Sequence, residues 1–183
     1  MVYLTSRDVG RGQEAVKQLN ELNLKPKFHQ LDIDDQQSVN TFQEYIKNTY
    51  GGVDILVNNA AIAYKVNKCN NHVHRYFKVV FQNDAKDPFS EQAEGTIKTN
   101  YFGLSRMCDA LFPIMRENGN VVNVSSSAGL LTRLTSPELR AKFASDELTI
   151  PELNDLMLQF VKYASVAIRT IKYYTSHAAT TSL

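Results

Sequence analysis

The feature that most constrains the fold is a series of short, largely apolar runs separated by helical stripes. After the turn pair Gly51-Gly52 come Val53, Ile55, Leu56 and Val57, broken only by Asp54, and then two adjacent asparagines, Asn58 and Asn59. Comparable runs lie at Val2 to Thr5, Phe28 to Ile33 and Val121 to Val124. Between the first two, Ala15, Val16, Leu19 and Leu22 recur with helical spacing before Pro26 interrupts the pattern. Asp34 or Asp35 can cap a second helix carrying Val39, Phe42, Ile46 and Tyr50. Ala93 to Met115 forms a third stripe through Ile97, Tyr101, Leu104, Met107, Cys108 and Leu111, closed by a turn at Asn118-Gly119. Strands that are apolar throughout, each followed by a helix, specify an α/β chain whose parallel sheet is covered on both faces. The expectation is one sheet of four strands from residues 2–60 and 93–125, with three helices.

Composition narrows the function. A chain of 183 residues is long enough for one domain with a sizeable core. Its net charge of +1 gives no footprint for nucleic acid. The opening VYLTSRDVGRG has neither the apolar core nor the cleavage site of a signal peptide, and no run reaches membrane-spanning length. A cytoplasmic protein with neither nucleic-acid nor membrane partner is expected. Cys69 and Cys108 read as free thiols.

In open parallel sheets a ligand crevice forms at the carboxyl ends of the strands. Polar residues stand at all four ends: Arg7, Asp32, Asn58-Asn59 and Asn123-Val124-Ser125-Ser126. Each type also serves as a turn former or helix cap, so no single residue decides the matter.

Taken together, these residues resemble one family. VDILVNNA is similar to the NNAG element of the short-chain dehydrogenases/reductases, LDIDD to their acidic strand end, KTN at Lys98 to Asn100 to their helix asparagine, and VVNVSSSAG to their serine motif. Longer phrases, TSRDVGRGQEAV, FHQLDIDDQQSV and EQAEGTIKTNYFG, resemble the monomeric NADPH-dependent carbonyl reductases over about Val2 to Val161. The resemblance implies a partial Rossmann-like, doubly wound parallel sheet lacking its first, central strand and glycine-rich turn. It also implies reduction of aldehydes, ketones or quinones by hydride transfer from NADPH.

In that reading Arg7, following the strand where NAD enzymes carry an acid, pairs with the 2′-phosphate of NADP. Asp32 and Ile33 border the adenine. Asn59 lies by the ribose and ties neighbouring strands. Ser126 hydrogen-bonds the reacting carbonyl oxygen, and Asn100 orders a proton relay through water. Tyr64, Lys65, Val66 and Gln92 match positions that meet glutathione or its conjugates, and Leu130 to Val161 resembles a segment that keeps these reductases monomeric. The family has glycine where this chain has Ala61.

The chain departs from the pattern in three places. No TGxxxGxG turn occurs among its residues: Gly10 and Gly12 follow the wrong strand. NKCNNHVHRYFKVVFQN, residues 67–83, is an insertion expected outside the sheet, and its Cys69, His72 and His74 fit no common zinc module, so no metal is expected. No tyrosine after Ser126 has a lysine four positions on, and residues 162–183 form a divergent tail. A single incomplete dinucleotide-binding domain over residues 1–183 is expected, from an alternative transcript or imperfect gene model. Two alternatives accompany it: a non-catalytic fragment or pseudoenzyme, and another short-chain reductase, of steroid or sepiapterin type, with a different carbonyl substrate.

Overall fold

The computed structural model describes residues 1–64 and 87–180. The insertion, with Cys69, His72 and His74, and the last three residues lie outside them. The chain gathers into two compact units, residues 1–61 with 98–124 and residues 62–97 with 125–183.

The first unit begins with β1 (Tyr3–Ser6), α1 (Val9–Glu21), β2 (Lys27–Gln30), α2 (Gln36–Tyr50) and β3 (Val53–Asn58). Asp8 caps α1 by accepting from the Arg11 N–H at 2.8 Å. Asp35 caps α2 through the Gln37 N–H, and Gly51 ends that helix at φ 74°, a left-handed conformation that suits a residue without a side chain. The unit resumes with most of a π-helical segment (Ile97–Gly103), then α4 (Leu104–Leu111) and β4 (Met115–Asn123). The label α3 belongs to Phe89–Thr96 in the second unit.

The helical stripe expected from Ala93 to Met115 ends earlier. Pro113 offers no N–H to a continuing helix, a short turn follows Leu111, and Met115 already belongs to β4. The Asn118-Gly119 turn is instead an irregularity within β4: Asn118 has φ 63°, and the register shifts between Val53↔Met115 and Ile55↔Asn120.

Pairing is parallel, as expected, with Leu4 opposite Phe28 and Leu56 opposite Val121. The single four-stranded sheet is not formed. The described strands make two sheets of two, β1 with β2 and β3 with β4. Among the described residues no strand bonds both β1 and β3.

The core lies where α2 and α4 meet the sheets: Val39, Phe42 and Ile46 pack with Leu31, Leu56, Met107 and Leu111. On β2, Phe28 and His29 point to opposite faces. Phe28 lies so close to α1 that a Cβ on Gly12 would fall 2.1 Å from its ring, while His29 stacks edge-on against Phe42 of α2. The first sheet is therefore covered on both sides by helices that alternate with its strands. The expectation that every strand is buried on both faces fails at β3: Leu56 is buried, but Ile55 and Val57 are 62% and 56% exposed.

In the second unit α3 packs against α6 (Ile150–Thr180), with Phe89 meeting Phe160 edge-to-face at 6.2 Å. The expected helix starts are present. Ser136 caps α5 (Pro137–Phe143), whose first residue is proline. Thr149 and Glu152 form a reciprocal capping box, the Thr149 N–H donating to Glu152 Oε2 at 2.9 Å and the Glu152 N–H to Thr149 Oγ1 at 3.4 Å.

Candidate functional site

Parallel strands deliver their carboxyl ends to one side of the first unit, where Arg7 follows β1, Asp32 and Ile33 follow β2, and Asn59 follows β3. The segment after β2 is fixed in detail. Asp32 Oδ1 accepts from the Asp34 N–H at 3.0 Å, and the Asp32 N–H donates to Ser38 Oγ at 2.9 Å, tying the turn to the start of α2. Thr99 donates its hydroxyl to Asp34 Oδ2 at 2.7 Å. Arg106 of α4 donates to the Ile33 carbonyl, and a Cβ on Gly103 would stand 3.0 Å from the Ile33 side chain. The strand end is thus held against the π-helical segment that contains Asn100. Such segments are rare and frequent at functional sites. Asn100 is half-buried in the segment's middle.

Thr99, Arg106 and Gly103 were not singled out from sequence, and Asp34 only as a candidate helix cap. The signal for two of them was present in KTN and LDIDD, beside the residues that were. The paired asparagines divide their labour differently from expectation. Asn58, rather than Asn59, ties the strands: its amide donates to Asn123 Oδ1 at 2.9 Å and to Cys108 Sγ at 3.5 Å, and its carbonyl accepts from the Val124 N–H. Asn59 is exposed one residue beyond. Burial pushes the Cys108 thiol above its usual range, against the contrary pull of the Asn58 amide. Burial likewise raises Tyr101. Ala61 has no positive φ, so its methyl group sits where the family has glycine without backbone strain.

The residues present fit the adenine end of a phosphorylated dinucleotide. Arg7 is exposed, makes no ion pair among the described residues, and lends only its carbonyl to Gln30 Nε2. Asp32 has engaged Oδ1 within its turn, and Ile33 presents an apolar side chain beside it. Among the described residues nothing comparable fits a pyrophosphate: Gly10 and Gly12 are inside α1, and Gly12 serves the contact with Phe28.

A tyrosine beside a lysine does occur, at the opposite end of the strands. Lys27 donates to the Tyr50 hydroxyl at 3.0 Å, and Tyr3 bonds both Tyr45 and Tyr50 at 2.7 and 2.8 Å. The Lys27 ammonium lowers the Tyr50 pKa, whereas burial and its two phenol neighbours raise that of Tyr3. Tyr3 and Lys27 begin their strands, so this cluster stands at the far end from Arg7 and Asp32.

The remaining sequence-predicted residues belong to the second unit. Ser126 is exposed just past β4, its carbonyl accepting from the Gly129 N–H at 2.9 Å. Tyr64 donates its hydroxyl to the Glu91 carbonyl at 3.2 Å. Gln92 is buried, its amide donating to the Asp87 carbonyl at 2.8 Å. Lys65 and Val66 lie outside the described residues. Among the described residues there is no cluster of His, Cys, Asp and Glu able to hold a metal and no helix long and apolar enough to cross a membrane.

Comparison with known proteins identifies the family. A family model described as short chain dehydrogenase matches residues 1–149. The chain is 45% identical over 162 residues to carbonyl reductase (NADPH) 1 of Homo sapiens and 44% identical over 168 residues to that of Rattus norvegicus. These matches take in 88% and 91% of the chain but 52% and 54% of the relatives, so the chain spans about half the length of the curated relatives it matches. Among solved structures, salutaridine reductase from Papaver somniferum superposes with a TM-score of 0.77 at 29% identity, covering 92% of this chain and 63% of that one. Menthone neomenthol reductase from Mentha piperita gives 0.72 at 32%, covering 88% and 64%. By the match to the family model over most of its length and the likeness to these reductases, the chain belongs to the short-chain dehydrogenase family.

Proposed function

We propose that the protein is an NADPH-dependent carbonyl reductase acting on aldehydes, ketones or quinones. The observation that carries this reading is the exposed guanidinium of Arg7 at the end of β1, without an ion pair among the described residues, with the fastened Asp32–Ile33 turn at the end of β2. NADPH, when bound, supplies the hydride. Arg7 pairs with the 2′-phosphate as a charge-assisted contact, Asp32 accepts from the adenine amino group, Ile33 packs on the ring, and Asn59 meets the ribose. Ser126 donates to the substrate carbonyl oxygen as negative charge grows on it. Asn100, in its π-helical setting, orders the water through which a proton arrives. The protein is read as a cytoplasmic monomer, on the likeness of residues 130–161 to the corresponding segment of monomeric reductases. Glutathione or a conjugate is a further ligand in this reading, with Tyr64, Lys65, Val66 and Gln92 as its contacts; calorimetric titration with glutathione, repeated on Tyr64→Phe, checks it.

The main test is a fluorescence titration with NADPH and NADH. Removing a charged hydrogen-bond partner is worth roughly 1.5–3 kcal/mol, so Arg7→Ala is expected to weaken NADPH binding by about tenfold or more and leave NADH nearly unchanged. Equal affinity for the two cofactors, unaffected by Arg7→Ala, would overturn the reading.

The 183 residues also contain a specific reason to separate binding from turnover. They include neither a pyrophosphate-cradling glycine turn nor a tyrosine–lysine pair after Ser126. The polypeptide of residues 1–183 is therefore read as holding the adenine end of the cofactor while catalysing poorly.

A further inference from the structure

The side-chain oxygen Asp34 Oδ1 is buried and has no hydrogen-bond partner among the described residues. Taking a carboxylate oxygen out of water without a donor costs free energy. Local structure gives no reason for an acid here. The turn after β2 is made by Asp32, which accepts from the Asp34 N–H, and α2 is capped by Asp35. What the Asp34 carboxylate does contribute is distant in sequence: its Oδ2 accepts from the Thr99 hydroxyl at 2.7 Å, 65 positions away.

That bond is one of three along a single face. Thr99, Gly103 and Arg106 follow one another at spacings of four and three, which places them side by side on a helical run. Thr99 meets Asp34, Arg106 donates to the Ile33 carbonyl, and Gly103 permits the approach, since a Cβ there would stand 3.0 Å from the Ile33 side chain and 3.3 Å from Asp34 Oδ1. All of these residues belong to the first unit. Thr99 and Gly103 are buried, so the contact is closed to competing water. On one side of it are Asp32 and Ile33, read above as facing the adenine. On the other is Asn100, the neighbour of Thr99 in the π-helical segment.

We propose that Asp34 is a positioning residue, which transmits occupancy of the adenine site through Thr99 to the π-helical segment and so sets the placement of Asn100. The proposal rests on the NADPH reading above. A ligand that holds the turn in one arrangement favours whatever is bonded to that arrangement, and the preference is reciprocal. The segment is a suitable receiver, because a π-helical turn sits beside an α-helical alternative between which a side-chain anchor can decide.

The test uses the whole 183-residue chain and adenosine 2′,5′-bisphosphate, which carries the adenine and the 2′-phosphate and lacks the nicotinamide. Amide exchange is followed with and without saturating probe, with residues 39–46 of α2 as the internal reference. Exchange at residues 97–103 is expected to slow by about fivefold or more when the probe is bound. In Thr99→Val, which keeps the shape and removes the hydroxyl, that slowing should fall below about twofold at saturation. Thr99→Ser and Asp34→Asn, which retain a donor and an acceptor, should preserve it. Should Thr99→Val fail to fold, Asp34→Ala reads the same bond from its other end. Probe binding without slowing at 97–103, slowing that survives loss of the bond, or loss of slowing in Thr99→Ser as complete as in Thr99→Val would each overturn this proposal and leave the cofactor reading standing. No binding of the probe up to about 1 mM would overturn both.

Discussion

The two sheets of the first unit are both parallel pairs of strands, yet they are buried differently. β1–β2 has α1 against Phe28 on one face and α2 against His29 on the other. β3–β4 buries Leu56 under α2 and α4 and leaves Ile55 and Val57 open. An apolar side chain stabilises only to the extent that something removes it from water. Apolar sequence thus marks a strand's capacity for burial, and the number of helices brought to it decides how much of that capacity is used.

The contrast is broken most directly by truncating both sides of β3. Leu111→Ala, beneath the covered face, removes one of the most completely buried side chains and is expected to destabilise by about 2–5 kcal/mol. Ile55→Ala on the open face should stay within about 0.5 kcal/mol. Urea denaturation monitored by circular dichroism measures both, and equal losses would show that the open face is covered in solution.

Gly12→Ala probes the doubly covered sheet. The new methyl group would fall 2.1 Å from the Phe28 ring, so either the ring or α1 must move, and overpacking of this kind typically costs about 1–3 kcal/mol. The same melts read the loss, and Phe28→Leu in the Gly12→Ala background should restore part of it. Asn58→Ala gives a smaller effect, about 1 kcal/mol for the bonds to Asn123 and Cys108. It should also speed amide exchange at Val124, whose N–H meets the Asn58 carbonyl.

The smallest effect lies in the second unit and depends on pH. The Thr149 hydroxyl, and then its N–H, hold the Glu152 carboxyl below its usual value of 4.5. A folded pKa below the unfolded one means that the capping box contributes fully above that usual value and is lost as pH falls through the lower folded value. Glu152→Gln should flatten the acid arm of the helical signal below pH 4.5, with little change at neutral pH.

Much of this arrangement was legible in the sequence because local chemistry dictated it. Asp8, Asp35, Ser136 and Thr149 cap helices where a short polar side chain precedes an apolar stripe. Parallel pairing of β3 with β4 followed from apolar strands separated by helices. What was hidden was tertiary. That Asn58 and not Asn59 would tie the strands depends on which side chain faces Asn123 and Cys108 across the sheet. The bonds from Thr99 to Asp34 and from Arg106 to Ile33 join residues more than sixty positions apart. The sequence reading expects a sheet without its central strand yet keeps the four strands in one sheet, whereas the described strands pair as two sheets of two.

The central proposal is that the 183-residue chain binds NADPH through Arg7, Asp32 and Ile33 while its sequence contains neither a TGxxxGxG turn nor a tyrosine–lysine pair after Ser126. Correct positioning accounts for several orders of magnitude in rate, and a positioned acid adds about 10² to 10⁴. The decisive measurement is NADPH oxidation by the purified 183-residue chain with menadione, in a sample whose NADPH binding has been titrated. Binding with turnover well below roughly 1 s⁻¹ is the predicted result; turnover above that rate would contradict the account.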